Sequence, residues 1–558
     1  MPLIVQPFEQ AVSKRYSIAD GLPDNRITRL LVHSSRIIAQ SESGCAYLQD
    51  DLWISLEDTE GCMSTPSSCT SITDIPDSAP FNNFCCSLGA PDGSLWFAGA
   101  NGAARYQNGR WSCFSAQRWL PDNQVNDICY FADAVWIATD AGVASIRLQP
   151  YKLEQKAKHY EEITVARHIR RGFVAECELS NPGVIASYRP VVTPNEGLWT
   201  SLYLASQAFH YAVTGDNQAR DRARASLDAL LSLLHITGIP GFMARSIVQD
   251  GEFSAGFDPK DPDWQYKNDK YPGLAWKDDT SSDEVDGHYL GWFVYYELIA
   301  GDEERELIRE ACAAVTDHIL DNGYYLVGPN GRTSWGVWAP EKLNEDPEWI
   351  DERGLNALEI LSHLKVAYHI CKNERYNTAY LDLIHKHGYA INCINQKTLP
   401  PYSPDNHSDD ELAWCAYYPL LMLEDDPELL RIYQLSLERS WSILRPQRTP
   451  FYNFLYGALS EKPCEAETGV AWLKECPLDL VDWTVKNSHR KDVKVAVERG
   501  RFGELQTNSV LTIAERPITK WNGNPYALDG GSGGAYELDG TFWLLPYWFG
   551  RYHRIISE

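Results

Sequence analysis

No run of eighteen apolar residues occurs in the sequence, so no transmembrane helix is expected. The opening MPLIVQPFEQAVSKRY lacks a charged segment followed by a long apolar stretch. No export leader is read there, which predicts a cytoplasmic protein, or a secreted one whose leader has been removed. Positive charge is scarce: 50 Lys and Arg stand against 76 Asp and Glu, a net charge of −26. Such a field repels nucleic acid and anionic membranes, so neither is an expected partner. An acidic substrate stays compatible where Arg or His lines a local pocket. The 14 Cys show no CxxC…CxxC zinc spacing. Cys62 and Cys69 are spaced to bridge and Cys85–Cys86 is a vicinal pair, but reduced, buried thiols are the expectation without export. There is no GxxxxGK[ST] phosphate loop either.

Aromatic side chains are plentiful, with 19 Trp and 30 Tyr. Sugar-binding clefts use such rings as flat apolar platforms with polar edges, although most of them are expected in the core. An oligosaccharide or polysaccharide is therefore the expected partner; nothing in the sequence sets the oligomeric state.

A chain of 558 residues suits two domains. Residues 1–148 read as β. Three segments repeat one pattern: Ile37-Ile38-Ala39 then SESGCAYL, Leu95-Trp96-Phe97-Ala98 then GANGAARY, and Val135-Trp136-Ile137-Ala138 then TDAGVASI. Each is a strand, a turn with Gly44, Gly102 or Gly142, and a second strand; LPDN recurs at 22–25 and 120–123. The repeat resembles the propeller repeats of two-component regulators. Three units are fewer than a closed propeller needs, which predicts a partial, open module whose edges are covered by the rest of the chain. From 149 to 558 the period becomes 3.6. A linking helix, KLEQKAKHYEEITVARHIRR, precedes helices near 197–214, 218–236, 281–300, 303–321, 354–373, 375–389, 409–423, 427–444, 449–459, 467–474 and 541–555. Their long, irregular loops favour an (α/α) toroid with a loop-built cleft over a solenoid. The expected class is mainly α, with a small propeller-like β module in front.

The stretch DDTSSDEVDGHYLG (278–291) concentrates titratable chemistry at a helix start. Thr280 and Asp283 fit a capping box, Glu284 and His288 share a face, and Gly287 and Gly291 leave room for a close helix contact or a ligand. NHSDDELAWCAYY (406–418) repeats the theme, with Ser408 and Glu411 as a second box and His407, Asp410, Trp414 and Tyr418 alongside. Capping alone also explains Asp283 and Asp409. If the two helices run the same way, Glu284, His288, His407 and Glu411 face one cavity. Arg245 in GIPGFMARS, Arg353 and Asn356 in DERGLNALEIL, and Trp548 in the C-terminal Gly-rich and aromatic run add polar and stacking groups. No cofactor is expected. A Ca²⁺ ion at Asp279, Asp283 and Asp286 fits oxygen ligation, although the spacing is not that of an EF-hand.

Several fragments of residues 150–553 together resemble polysaccharide lyase family 27: EEITVARHIRRGFVAECEL, NEGLWTSLYLASQAF, ITGIPGFMARS, DDTSSDEVDGHYLG, RGLNALEIL, HSDDELAWCAYYPLL and LLPYWFGRY. The resemblance implies cleavage of an L-rhamnose-α-1,4-D-glucuronate linkage by β-elimination. That chemistry needs a carboxylate neutraliser, a base for the C5 proton and an acid for the leaving oxygen. Arg245, Arg353 or Asn356 suit the first. A neutral His407, at the positive end of its helix, suits the base. His288, raised by nearby acids, suits the acid or neutraliser, and Tyr289 and Tyr418 are the alternatives. Hydrolysis would instead pair Glu284 with Asp410 or Glu411. A non-catalytic sugar sensor is the third reading, weakened because no kinase, receiver or DNA-binding segment follows the repeats.

Overall fold

The computed structural model describes residues 2–56, 75–249, 252, 260–266, 270–398, 406–518 and 523–558. Cys62 and Cys69 lie outside the described residues. The N-terminal β module is present as three four-stranded antiparallel sheets. The first contains β2 (Arg29–His33), β3 (Arg36–Ser41), β4 (Gly44–Gln49) and β5 (Leu52–Ser55). The second contains β6 (Phe84–Gly89), β7 (Leu95–Gly99), β8 (Gly102–Gln107) and β9 (Arg110–Phe114). The third joins β10 (Val125–Phe131), β11 (Ala134–Thr139) and β12 (Gly142–Tyr151) to β1 (Phe8–Tyr16), which returns to pair along β12.

Every residue of β11 is buried. Successive strand residues point to opposite faces. Accordingly Trp136 and Ala138 pack with Leu30, Ile37 and Trp53 of the first sheet, while Val135 and Ile137 pack with Trp96 and Phe114 of the second. The third sheet is thus covered on both faces, which lets three blade-like units bury a core without a closed circle. Gly142 is required where it stands: its φ is +138°, and a Cβ there would lie 2.1 Å from the Tyr16 carbonyl oxygen. The outer edge of the second sheet is covered by the C-terminal part of the chain. The Cys113 N–H donates to Glu515 at 2.8 Å, and Arg118 donates to the Ala514 carbonyl at 3.1 Å.

The helical part begins with α1 (Leu153–Arg167). Then come α2 (Glu196–Thr214), α3 (Asn217–Thr237), α4 (Ser282–Leu298), α5 (Asp302–Asp321), α6 (Arg353–Cys371) and α7 (Glu374–His387). The series ends with α8 (His407–Leu423), α9 (Pro427–Leu444), α10 (Pro450–Ser460), α11 (Ala466–Glu475) and α12 (Thr541–Tyr552). Even-numbered helices pack each on the next, and α12 returns to α2, so they close into a ring. Odd-numbered helices lie outside: α1 packs on α12, α3 on α2, and α7 on α6. None of the helices described is long and apolar enough to cross a membrane.

Aromatic rings from the C-terminal halves of the inner helices meet. Tyr418 of α8 lies 5.9 Å from Phe209 of α2, 5.9 Å from Phe293 of α4 and 5.3 Å from Phe549 of α12, centroid to centroid. These four helices therefore run in parallel, and their C-terminal ends are plugged with apolar rings. Their N-termini, with partial positive charge, open at the other end. The helix starts differ slightly from the capping-box expectation. Ser281 is the N-cap of α4; α8 begins at His407 itself, with Asn406 as N-cap, and Ser408 donates to Asn406 at 2.8 Å.

Candidate active site

At the N-terminal end of the ring lies a cleft of about 620 Å³, lined by Arg353, Gly354, Gln396, Lys397, Asn406, Asp409 and Arg501. It sits over the first turns of α6 and α8. Lys397, from the segment before α8, forms part of its floor and ion-pairs with Asp410 at 2.7 Å. His407 Nδ1 lies 3.6 Å from the other oxygen of the same carboxylate. All three side chains are buried.

Deeper in the ring, Asp286 of α4 and Glu359 and His363 of α6 are fully enclosed. Asp286 Oδ1 is 3.3 Å from His363 Nε2, and its Oδ2 has no hydrogen-bond partner among the described residues. Glu359 accepts a 2.9 Å hydrogen bond from the Trp338 indole, while its Oε1 has no partner among the described residues. Burial pushes both carboxyls well above the usual carboxylate range; Asp283 adds to the rise at Asp286, and Asp286 to that at Glu359. Burial takes His363 the opposite way, down to about 3. The raised acid and the lowered imidazole both favour a neutral pair across this contact. Tyr289 stacks on this imidazole at 4.5 Å. Asp286, Glu359 and Glu411 all act electrostatically on Cys415, and Asp410 and Glu411 both act on Tyr452. The four carboxyl groups thus share one neighbourhood under the cleft, with Glu411 common to both sets.

The expected convergence of Glu284, His288, His407 and Glu411 is not what forms. Glu284 and His288 turn toward α2, not the ring interior. A Cβ on Gly197 would lie 2.1 Å from Glu284 Oε2 and 2.6 Å from His288 Cε1. The His288 ring meets backbone carbonyls, Glu284 at 2.6 Å and Leu230 at 3.5 Å. Its pKa is lowered to about 4 by burial, the reverse of the expected rise, because desolvation outweighs the two carbonyl contacts. Tyr418 belongs to the aromatic plug, where its hydroxyl pairs with His553 at 3.0 Å, and Tyr289 bonds to Thr316 at 2.6 Å on the α5 side. Trp548 stacks on His210 at 3.9 Å beside a separate cavity of about 830 Å³, away from the cleft.

Arg353 lines the cleft, yet its guanidinium donates to the Leu343 and Asn344 carbonyls. Asn356 donates to Val337 at 2.9 Å, and Trp414 is fully buried against Tyr452. Arg245 donates to Asn195 at 3.0 Å, and Asn195 donates to Asp283 at 2.8 Å. This chain fixes the start of α4, with the Asp283 carboxyl raised by burial and partly offset by Arg245.

The three acids proposed for Ca²⁺ part company: Asp279 accepts from the Ser334 N–H, Asp283 from Asn195, and Asp286 faces His363. Among the described residues, His168, Cys177 and Glu537 do bring metal-ligating atoms within 4.8 Å of one another. Arg167 occupies both Glu537 oxygens, at 2.6 and 2.9 Å, which makes this an ion-pair network instead. Sequence reasoning missed Glu359, His363 and Lys397. The first two were visible as an acid and an imidazole at i and i+4 in LEILSH; Lys397, in a loop, gave no signal.

No protein-family model matches the chain, and no curated protein matches it. The resemblance to polysaccharide lyase family 27 accordingly rests on the sequence fragments alone. Among solved structures, the chain is similar to a metagenome-derived glycoside hydrolase family 9 endoglucanase at 11% identity and a TM-score of 0.37, over 98% of this chain and 99% of that one. It is also similar to a family 76 glycoside hydrolase from a bovine Bacteroides thetaiotaomicron strain at 11% identity and a TM-score of 0.24, over 62% of this chain and 87% of that one. Likenesses this weak bear on neither fold nor activity.

Proposed function

We propose that this chain is a carbohydrate-active enzyme that cleaves glycosidic bonds by hydrolysis. One observation carries the reading: carboxyl groups in opposite environments sit together under one cleft. Burial raises the Glu359 carboxyl toward its neutral form, and one of its oxygens has no partner among the described residues. Asp410 is ion-paired with a lysine at the cleft floor. A glycosidase needs such a division, a proton donor for the leaving oxygen and a carboxylate for the sugar or its attacking water. Glu359 is the donor in this reading and Asp410 the carboxylate. The Trp338 indole positions Glu359, and burial favours its neutral form. The enclosed ring excludes water from the protonated acid.

A second reading, β-elimination from a uronate, is favoured by an imidazole and an ammonium, His407 and Lys397, that meet at the Asp410 carboxylate. The two separate in one assay. Rhamnosyl-glucuronate and neutral oligosaccharides are incubated with the protein while reducing ends and ultraviolet absorbance are followed. Hydrolysis yields reducing ends without the band of a 4,5-unsaturated uronate, and Glu359→Gln abolishes them. Elimination yields that band, and His407→Ala abolishes it. Binding without either product would make the chain a sugar sensor.

A further inference from the structure

The vicinal pair Cys85–Cys86 plays no part in the candidate active site, yet the local backbone brings its two sulfurs together. Both residues lie on β6, where successive side chains would ordinarily point to opposite faces. The register of β6 on β7 breaks at this place. Phe84 pairs with Gly99 and Cys86 with Ala98, so Cys85 is the extra residue of a β-bulge. The bulge cancels the alternation, and the two Sγ atoms stand 3.6 Å apart. Both reach one backbone oxygen, the Ala98 carbonyl, Cys85 at 3.5 Å and Cys86 at 3.6 Å. Cys85 also donates to the Val125 carbonyl of β10 at 3.3 Å, across the seam between the second and third sheets. The two thiols differ in access: Cys85 is exposed, whereas Cys86 is buried beneath it at 2% exposure. The Cys85 thiol is lowered to about 7, chiefly by the Cys86 sulfur, so near neutral pH much of it is thiolate, the nucleophilic form. An accessible, readily ionised thiol that touches a second one is the arrangement in which the first sulfur attacks an oxidant and the second resolves the product.

We infer that Cys85 and Cys86 form a hydroperoxide-reactive dithiol, in which Cys85 is oxidised first and Cys86 then closes a vicinal disulfide. In the first step the Cys85 thiolate attacks the terminal oxygen of a hydroperoxide, ROOH. An S–O bond forms, the O–O bond breaks, and the alkoxide takes up the proton that Cys85 had lost, leaving as ROH. Cys85 is then a sulfenic acid. In the second step the Cys86 sulfur attacks the Cys85 sulfur. The S–S bond forms, the S–O bond breaks, and the Cys86 proton leaves with the hydroxyl as water. Two thiols lose two electrons in all, and the hydroperoxide is reduced to an alcohol and water. Closure removes the S–H donors that reach Ala98 and Val125, so the modification is felt at the joint between the second and third sheets. Thiol exchange with an excess of small dithiol reverses it.

The test reads the pair by mass. The full-length, reduced protein is treated with tert-butyl hydroperoxide at neutral pH, denatured, alkylated with iodoacetamide and cleaved after Asp77 and Asp92. The peptide released carries Cys85 and Cys86 and no other Cys. It is expected two hydrogen atoms lighter than the dithiol and without alkyl groups, and it should take up two of them when dithiothreitol precedes the iodoacetamide. Its oxidation should run about tenfold faster than that of the peptide holding Cys113, which is buried and whose thiol is raised. Cys86→Ser should leave Cys85 as a sulfenic acid that dimedone traps, and Cys86→Ala, which buries no hydroxyl, should do the same. Cys85→Ser changes an exposed position and should slow oxidation of Cys86 about tenfold. A sulfinic acid on Cys85 of the wild type, with Cys86 still alkylated, would overturn the proposal. So would a disulfide between two chains through Cys85, or a pair that stays reduced while Cys113 is oxidised.

Discussion

Glu359 is the residue on which chemistry and stability meet. Its carboxyl is raised well above 4.5 by burial, so between that value and its native one the folded chain binds more protons than the unfolded. Stability must then fall as pH rises through this window. Glu359→Gln, which cannot ionise, should lose less stability between pH 5 and 8 than wild type; parallel melting curves for the two proteins would contradict this. The same substitution should lower turnover by about 10²- to 10⁴-fold, read from initial rates of reducing-end release. A second residue-level expectation concerns thiols. Cys85 is exposed, and its pKa is lowered to about 7 chiefly by the Cys86 sulfur 3.6 Å away, whereas Cys113 and Cys415 are buried and raised. At pH 7.5 a maleimide should modify Cys85 first, as peptide mass spectrometry would show.

Between elements, the seam of α2 and α4 depends on glycine. A Cβ at Gly287 would lie 2.7 Å from the Leu198 Cα, and one at Gly197 would meet Glu284 and His288. Gly287→Ala should gain about 1 kcal/mol of helix propensity and lose more to the clash, a net destabilisation of about 1–3 kcal/mol in urea unfolding. Helix positions were readable from sequence because period, caps and breakers agree: Asp216 and Asp426 cap α3 and α9 through side-chain hydrogen bonds, and Gly215, Gly238 and Gly388 end helices in the left-handed region. Which face of α4 looks inward was not readable. That helix is buried almost all round, so Asp283-Asp286-Phe293 and Glu284-His288 are equally plausible inner stripes in sequence, and only packing against α2 chooses. The cleft's Lys397 was invisible for another reason: loop residues carry no periodicity to place them.

For the whole molecule, one link between the second sheet and the C-terminal part of the chain runs through Glu515. Its carboxylate accepts from the Cys113 N–H at 2.8 Å and pairs with buried Arg490 at 2.7 Å. Glu515→Ala leaves the Cys113 N–H without its acceptor and Arg490 with Asp492 as its carboxylate, at a cost of about 1–3 kcal/mol. The second sheet should then loosen before the ring melts, seen as earlier proteolysis within residues 84–114 by limited trypsin digestion. A single cooperative transition unchanged from wild type would contradict this.

The return of α12 onto α2 also has a consequence for how the protein is made. A ribosome emits α2 long before α12, and until the last helix emerges the flank of α2 that receives it, with Phe209 at its end, stays open to water. The ring cannot nucleate locally and then extend, as a stack of repeats can; its closing contact spans most of the polypeptide. During that interval the nascent chain is a natural client for a holdase chaperone. Slowing translation ahead of residue 541 should lengthen that association, whereas slowing it after α12 has emerged should not.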